Sequence, residues 1–151
     1  MKQLEEKIRK EGKILSGDIL KVDNFLNHQI DVAFLNEIGE EFHRLFAGEA
    51  VTKIMTIEAS GIALAVAASQ AFGNVPVVFA KKVLARNMGE GRYSEACYSY
   101  TRQIPYHVSV SKEYLSEEDH VLIIDDFLAN REAANAMISI CRQAKATIAG
   151  V

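Results

Sequence analysis

A short run of β-branched apolar residues that stops on two adjacent carboxylates and passes at once into a helix leaves few folds open. Residues 121–134 read VLIIDDFLANREAA. Val121 to Ile124 have the length and side chains of a buried strand. Asp125 and Asp126 stand where that strand ends, and small residues follow as a turn. Ala133, Ala136, Met137, Ile140, Cys141 and Ala144 then recur at helical spacing and mark one buried face. Open α/β sheets bind ligands at the carboxyl ends of their strands. The free backbone N–H groups of such a turn suit an anion. The two aspartates repel a phosphate; they suit hydroxyls, or a metal that a phosphate also touches. On residue types alone, a plain strand end with a helix cap stays open beside the binding site.

The rest of the chain supplies the layers that such a sheet requires. Residues 2–11 form a charged helix with Leu4 and Ile8 on one side. Residues 13–29 read as mixed extended structure with turns at Asp18, Asp23 and Asn24. Asp31 caps a helix whose stripe is Leu35, Ile38, Phe42, Leu45 and Phe46, ended by Gly48. Val51 to Ile57 is a strand, Glu58-Ala59-Ser60-Gly61 a turn, and Ile62 to Phe72 a small-residue helix stopped by Gly73-Asn74. Val75 to Ala80 is the next strand, and the three pieces make a βαβ unit with parallel strands. Residues 83–94 carry Asn87, Gly89 and Gly91 without a period and read as a loop. Residues 95–104 and 106–111 read as a hairpin or flap joined near Pro105, and 147–151 begin a last strand.

At 151 residues the chain is expected to be one domain, with hood elements at about 12–30 and a core over 31–151. The formal charge of −3 and the lack of a basic run argue against a nucleic-acid partner. No apolar stretch reaches the ~20 residues that span a bilayer, so no membrane partner is expected. Cys97 and Cys141 lack a disulfide framework, which points to a reducing, cytoplasmic setting. The four histidines show no metal-ligand spacing.

Four segments carry a family resemblance: ILKVDNFLNHQID at 19–31, IEASGIALAVA at 57–67, VPVVFAKK at 75–82 and LSEEDHVLIIDDFLAN at 115–130. Their order and spacing resemble the type I phosphoribosyltransferases, and within them the xanthine-using purine-salvage branch. The resemblance implies an α/β fold with a mainly parallel sheet between helices, a small N-terminal hood and a flexible loop or flap. It implies transfer of ribose phosphate from phosphoribosyl pyrophosphate to xanthine, giving XMP and pyrophosphate, with Mg²⁺ held mainly by the donor, in a homodimer. Leu20 and Asn27 would meet the purine. Glu58, Ala59, Ser60 and Gly61, with Lys81 or Lys82, would meet the pyrophosphate. Asp125 and Asp126 would face the ribose hydroxyls, and Ala129, Asn130, Arg131, Glu132 and Ala133 would wrap the 5′-phosphate.

Two departures follow from the same resemblance. Arg131 stands where the family has glycine, a residue that allows positive φ and close backbone approach. Relatives also continue past residue 151 with a strand and a purine-contacting lysine, so the chain is expected to lack the end of the fold. Both favour an alternative, a phosphoribosyltransferase-like binding protein with little turnover. A receiver-type signalling domain fits less well, because its carboxylates gather early in the chain.

Overall fold

The computed structural model describes residues 1–15, 19–83, 90–99, 104–128 and 131–151. In chain order they form α1 (Lys2–Glu11), β1 (Lys13–Leu15), β2 (Ile19–Lys21), α2 (Val32–Leu45), β3 (Lys53–Ile57), α3 (Gly61–Ala71), β4 (Val77–Val83), β5 (Arg92–Ser99), β6 (Ile104–Ser111), β7 (His120–Ile123), α4 (Glu132–Gln143) and β8 (Thr147–Gly150). β1 and β2 pair with each other; the main sheet runs β5-β6-β4-β3-β7-β8. The β4-β3-β7-β8 part is parallel, as the βαβ reading requires, and β4-β6 and β6-β5 are antiparallel.

Strand alternation divides the core between the two faces of this sheet. Val121 and Ile123 of β7 join Met55 of β3 and meet Met137, Ile140 and Cys141 of α4. Leu122 and Ile124 turn the other way, join Ile54, and meet α2, α3 and the hood residues Val22, Phe25 and Leu26. Helices α2 and α3 pack almost backbone to backbone. A Cβ at Gly39 would lie 2.6 Å from the Ala67 carbonyl oxygen, so only glycine fits that crossing.

Several expectations need correction. The hood is not merely extended: Asp23–Asn27 closes one turn of π-helix, burying Phe25 and Leu26 while Asn24 stays outside. Leu45 is 58% exposed, whereas the stripe on α2 runs from Phe34, Leu35 and Ile38 on to the partly buried Phe42 and Phe46. Pro105 lies inside β6 opposite Tyr98 rather than in a turn, and Arg92 to Ser94 already belong to β5 rather than to a loop. The remainder of the expected loop and flap, residues 84–89 and 100–103, lies outside the described residues.

Among the described residues the last rung between β4 and β6 is Val83↔His107, and the β5–β6 pair runs on through Cys97↔Tyr106, Tyr98↔Pro105 and Ser99↔Ile104. Those three rungs extend roughly 10 Å past it.

Candidate functional site

Several of the expected site residues meet at the carboxyl ends of β3, β4 and β7. After β7, Ile124 donates its N–H to the Met55 carbonyl at 2.9 Å, which carries the chain one more step along the sheet before it turns. Asp125 and Asp126 follow, both half-buried, and Asp125 Oδ1 accepts the Asp126 N–H at 3.0 Å. Among the described residues neither carboxylate forms an ion pair. Burial pushes the Asp125 carboxyl up to about 6; the adjacent Asp126 charge pushes the same way, while the Asp126 N–H and the Lys82 charge oppose it. A carboxylate held in this way gains from any ligand that brings hydroxyl donors or positive charge.

The hood reaches this pair across 99 positions of sequence: Asn27 Nδ2 lies 3.5 Å from Asp126 Oδ2. The carbonyl oxygen of the same amide, Asn27 Oδ1, is buried and has no hydrogen-bond partner among the described residues. Such an atom costs free energy until a donor reaches it. Leu20, the other expected purine contact, is half-buried and packs on the hydrophobic cluster around Val22 and Phe25.

The turn after β3 lies beside the aspartates. The Glu58–Ala59 peptide is cis. Glu58 donates its N–H to the Ala80 carbonyl at 3.1 Å, and its Oε1 accepts the Lys82 N–H at 2.7 Å, so the turn is tied to the end of β4 on both sides. Ala59 is exposed, and Ser60 is half-buried at the N-terminus of α3 without a side-chain capping bond. Gly61 begins α3; a Cβ there would collide with Thr56 Oγ1 and come to 3.0 Å of Asp125 Oδ1. Glycine thus brings the start of a helix, with its unpaired N–H groups, against the acidic pair.

Lys81 and Lys82 part company, because consecutive strand residues face opposite sides of a sheet. Lys82 is near enough to Asp125 for its charge to act there. Lys81 lies on the other face, its ammonium 6.0 Å from the Phe79 ring, in a cavity of about 500 Å³ that also takes in Lys53, Arg92 and Tyr114. Of the two, only Lys82 belongs with the aspartates.

At the expected phosphate loop, Ala129 and Asn130 lie outside the described residues. Arg131 precedes α4 at φ 65° and ψ 4°, the left-handed conformation that glycine adopts freely. Its side chain is exposed and makes no capping bond, while Glu132 and Ala133 form the half-buried first turn of α4.

The sequence reading missed Thr56. Its hydroxyl is fully buried beneath Gly61 and near Asp125, with no partner among the described residues. A threonine in a strand carries no signal that would single it out. Taken together, the site offers a carboxylate pair for hydroxyls, helix starts and Lys82 for an anion, and the carbonyl oxygen of the Asn27 amide for a hydrogen-bonding edge.

No family model matches the chain. Curated relatives do. Xanthine phosphoribosyltransferase from Clostridioides difficile (strain 630) is 55% identical over 151 residues, covering 100% of the chain and 80% of the relative. Xanthine phosphoribosyltransferase from Laribacter hongkongensis (strain HLHK9) is 56% identical over the same 151 residues, again covering 80% of the relative. Among solved structures, adenine phosphoribosyltransferase from Saccharomyces cerevisiae superposes with a TM-score of 0.76 at 16% identity, covering 98% of the chain and 85% of that structure. The last likeness is one of fold: the type I phosphoribosyltransferase arrangement of a mostly parallel sheet flanked by helices.

Proposed function

The chain belongs to the xanthine phosphoribosyltransferase family, and on that premise we propose that it transfers the ribose phosphate of phosphoribosyl pyrophosphate to xanthine, forming XMP and pyrophosphate in purine salvage. A purine nitrogen bonds to C1 of the ribose and gives up its proton. The bond from C1 to the pyrophosphate oxygen breaks, and the electron pair leaves with pyrophosphate. Positive charge builds on the sugar and negative charge on the leaving group, so the step calls for positioning and charge neutralisation more than for covalent work.

The chain's own residues divide that work. Asp125 and Asp126 take the ribose hydroxyls, and their charge favours the cationic sugar. Glu58 to Gly61 offer backbone N–H groups to pyrophosphate, with Lys82 beside them. Residues 129–133 hold the 5′-phosphate, and Asn27 reads the purine edge. Among the described residues, no three acidic, histidine or cysteine side chains converge as a metal site. Asp125 and Asp126 would suit a Mg²⁺ held mainly by the donor's own oxygens. When bound, the ion neutralises charge on the leaving pyrophosphate.

The observation that carries this reading is the approach of Asn27 to Asp126 at 3.5 Å, with the Asn27 carbonyl oxygen left unpaired among the described residues. A base reader and a ribose reader then share one site. The test follows XMP formation from xanthine, with guanine and hypoxanthine as controls, in the presence of Mg²⁺. Xanthine-preferring turnover is expected. No turnover, combined with no calorimetric heat from donor and Mg²⁺, overturns the reading.

The left-handed Arg131 favours a second reading, a binding protein with weak donor affinity and little turnover. Donor binding without XMP formation selects it. Family likeness also suggests a homodimer, testable by light scattering. The two buried thiols suit a reducing cytoplasm, and among the described residues no helix is long and apolar enough to cross a membrane.

A further inference from the structure

We propose that Lys7, on the N-terminal helix, is a positioning residue for purine recognition: its ammonium clamps the π-helical turn that presents Asn27. The inference rests on the proposed role of Asn27. Lys7 Nζ lies 2.9 Å from Asp31 Oδ2 and 3.3 Å from Glu11 Oε1, with its side chain only 18% exposed. The same ammonium sits 5.3 Å from the centre of the Phe25 ring and 5.0 Å from that of Phe34. Those rings meet edge to face at 5.9 Å. One cation therefore holds two aromatic faces and an aspartate whose other oxygen caps α2 by accepting the Phe34 N–H at 3.1 Å.

Phe25 is the link to the site. It is 1% exposed, lies in the same five-residue turn as Asn27, and its carbonyl accepts the Asp31 N–H at 3.0 Å. A second tie from α1 runs parallel to the first, from Asn24 Nδ2 to Glu11 Oε2 at 3.2 Å. The strands before the turn give weak support: β1 and β2 share three residue pairs, and Ile14 is 80% exposed. The turn's orientation therefore depends on the grip from α1 and α2 together with the packing of Phe25 and Leu26 in the core below. A single amide reading a base edge loses its bond with a tilt of a few tens of degrees. Loosening the clamp should weaken base binding while the donor loops, held by β3, β4 and β7, stay in place.

Lys7→Met keeps the aliphatic stem and removes the charge; Lys7→Arg keeps the charge. For Lys7→Met the KM for xanthine is expected to rise about five- to tenfold, with kcat and the donor KM within about twofold of the parent. Lys7→Arg should restore most of the loss. Amide exchange should quicken at residues 23–28 and stay unchanged in α4. An unchanged xanthine KM overturns the inference, as does a proportional loss of kcat and both substrates' affinities. Should Lys7→Met fail to fold, Phe25→Leu removes one ring under the ammonium and leaves the Asp31 pair. It should reproduce the same split, and an unchanged xanthine KM there also overturns the inference. If the parent chain makes no XMP, the functional reading fails by itself. The exchange measurement still judges the clamp: unchanged rates at residues 23–28 refute it.

Discussion

The Asp125 carboxylate ought to cost the free protein stability, and Asp125→Asn measures how much. Burial lifts its carboxyl from 3.8 in the unfolded chain to about 6. At 1.36 kcal/mol for each pH unit that rise is worth roughly 3 kcal/mol at full burial. The half-buried group keeps part of its hydration, which reduces the effect to about 1–2 kcal/mol. Well below pH 3.8 both states carry the proton and nothing is lost. Between pH 4 and 6 the unfolded chain releases a proton that the folded chain retains, so stability falls as pH rises, and the full penalty is present above about pH 7. Asparagine keeps an oxygen to accept the Asp126 N–H now held at 3.0 Å, and it removes the charge. Urea unfolding should therefore show Asp125→Asn about 1–2 kcal/mol more stable at pH 8, with an unchanged m-value, and equal to the parent at about pH 3. Turnover should be lost at every pH. A variant no more stable than the parent at pH 8, or a gap that does not close on acidification, refutes the reasoning.

Other substitutions test neighbouring parts. Arg131→Gly removes a left-handed cost of about 1–2 kcal/mol and adds glycine's backbone entropy, so urea melts should show a net gain of about 0.5–1 kcal/mol. The donor KM should fall with it; a rise would mean that the guanidinium itself holds the phosphate. Gly61→Ala drives a Cβ into Thr56 Oγ1 and against Asp125, and should cost about 1–3 kcal/mol in the same assay, with donor binding by calorimetry abolished. Gln143→Ala removes a side chain that accepts the Ser94 N–H at 3.2 Å and donates to the Ser94 carbonyl at 2.9 Å. Its exposed amide should be worth about 1 kcal/mol in urea unfolding, with kcat unaffected.

The parallel layers were legible because their signals are local and repeated. The run 121–124 and the stripe Ala136, Met137, Ile140 and Cys141 have the periods of a buried strand and a one-sided helix, and both lie where those periods place them. Asp31 caps α2, and Gly73 and Asn74 take the positive φ that ends α3. The hood was less legible. A π-helical turn has no period to read, and Phe25 is buried by α1 and α2, which lie on either side of it in sequence. Leu45 matches the helical stripe yet stays exposed, since spacing reports a face and not its neighbour. Residues 81 and 82 show the same limit at the site: two lysines in a row are equivalent in composition, and only the strand's phase separates them. Thr56 and the Lys7 clamp depend on contacts across the fold and leave no trace in spacing.

Among the described residues, the β5–β6 rungs past the Val83↔His107 pair have no third strand beside them, and Pro105 brings no N–H to its rung. Two strands alone are marginal in water, so these rungs draw their order from the six-stranded sheet to which the same strands belong. Substitutions there should therefore act on the ribbon and leave the pairing of β4, β3, β7 and β8 unchanged.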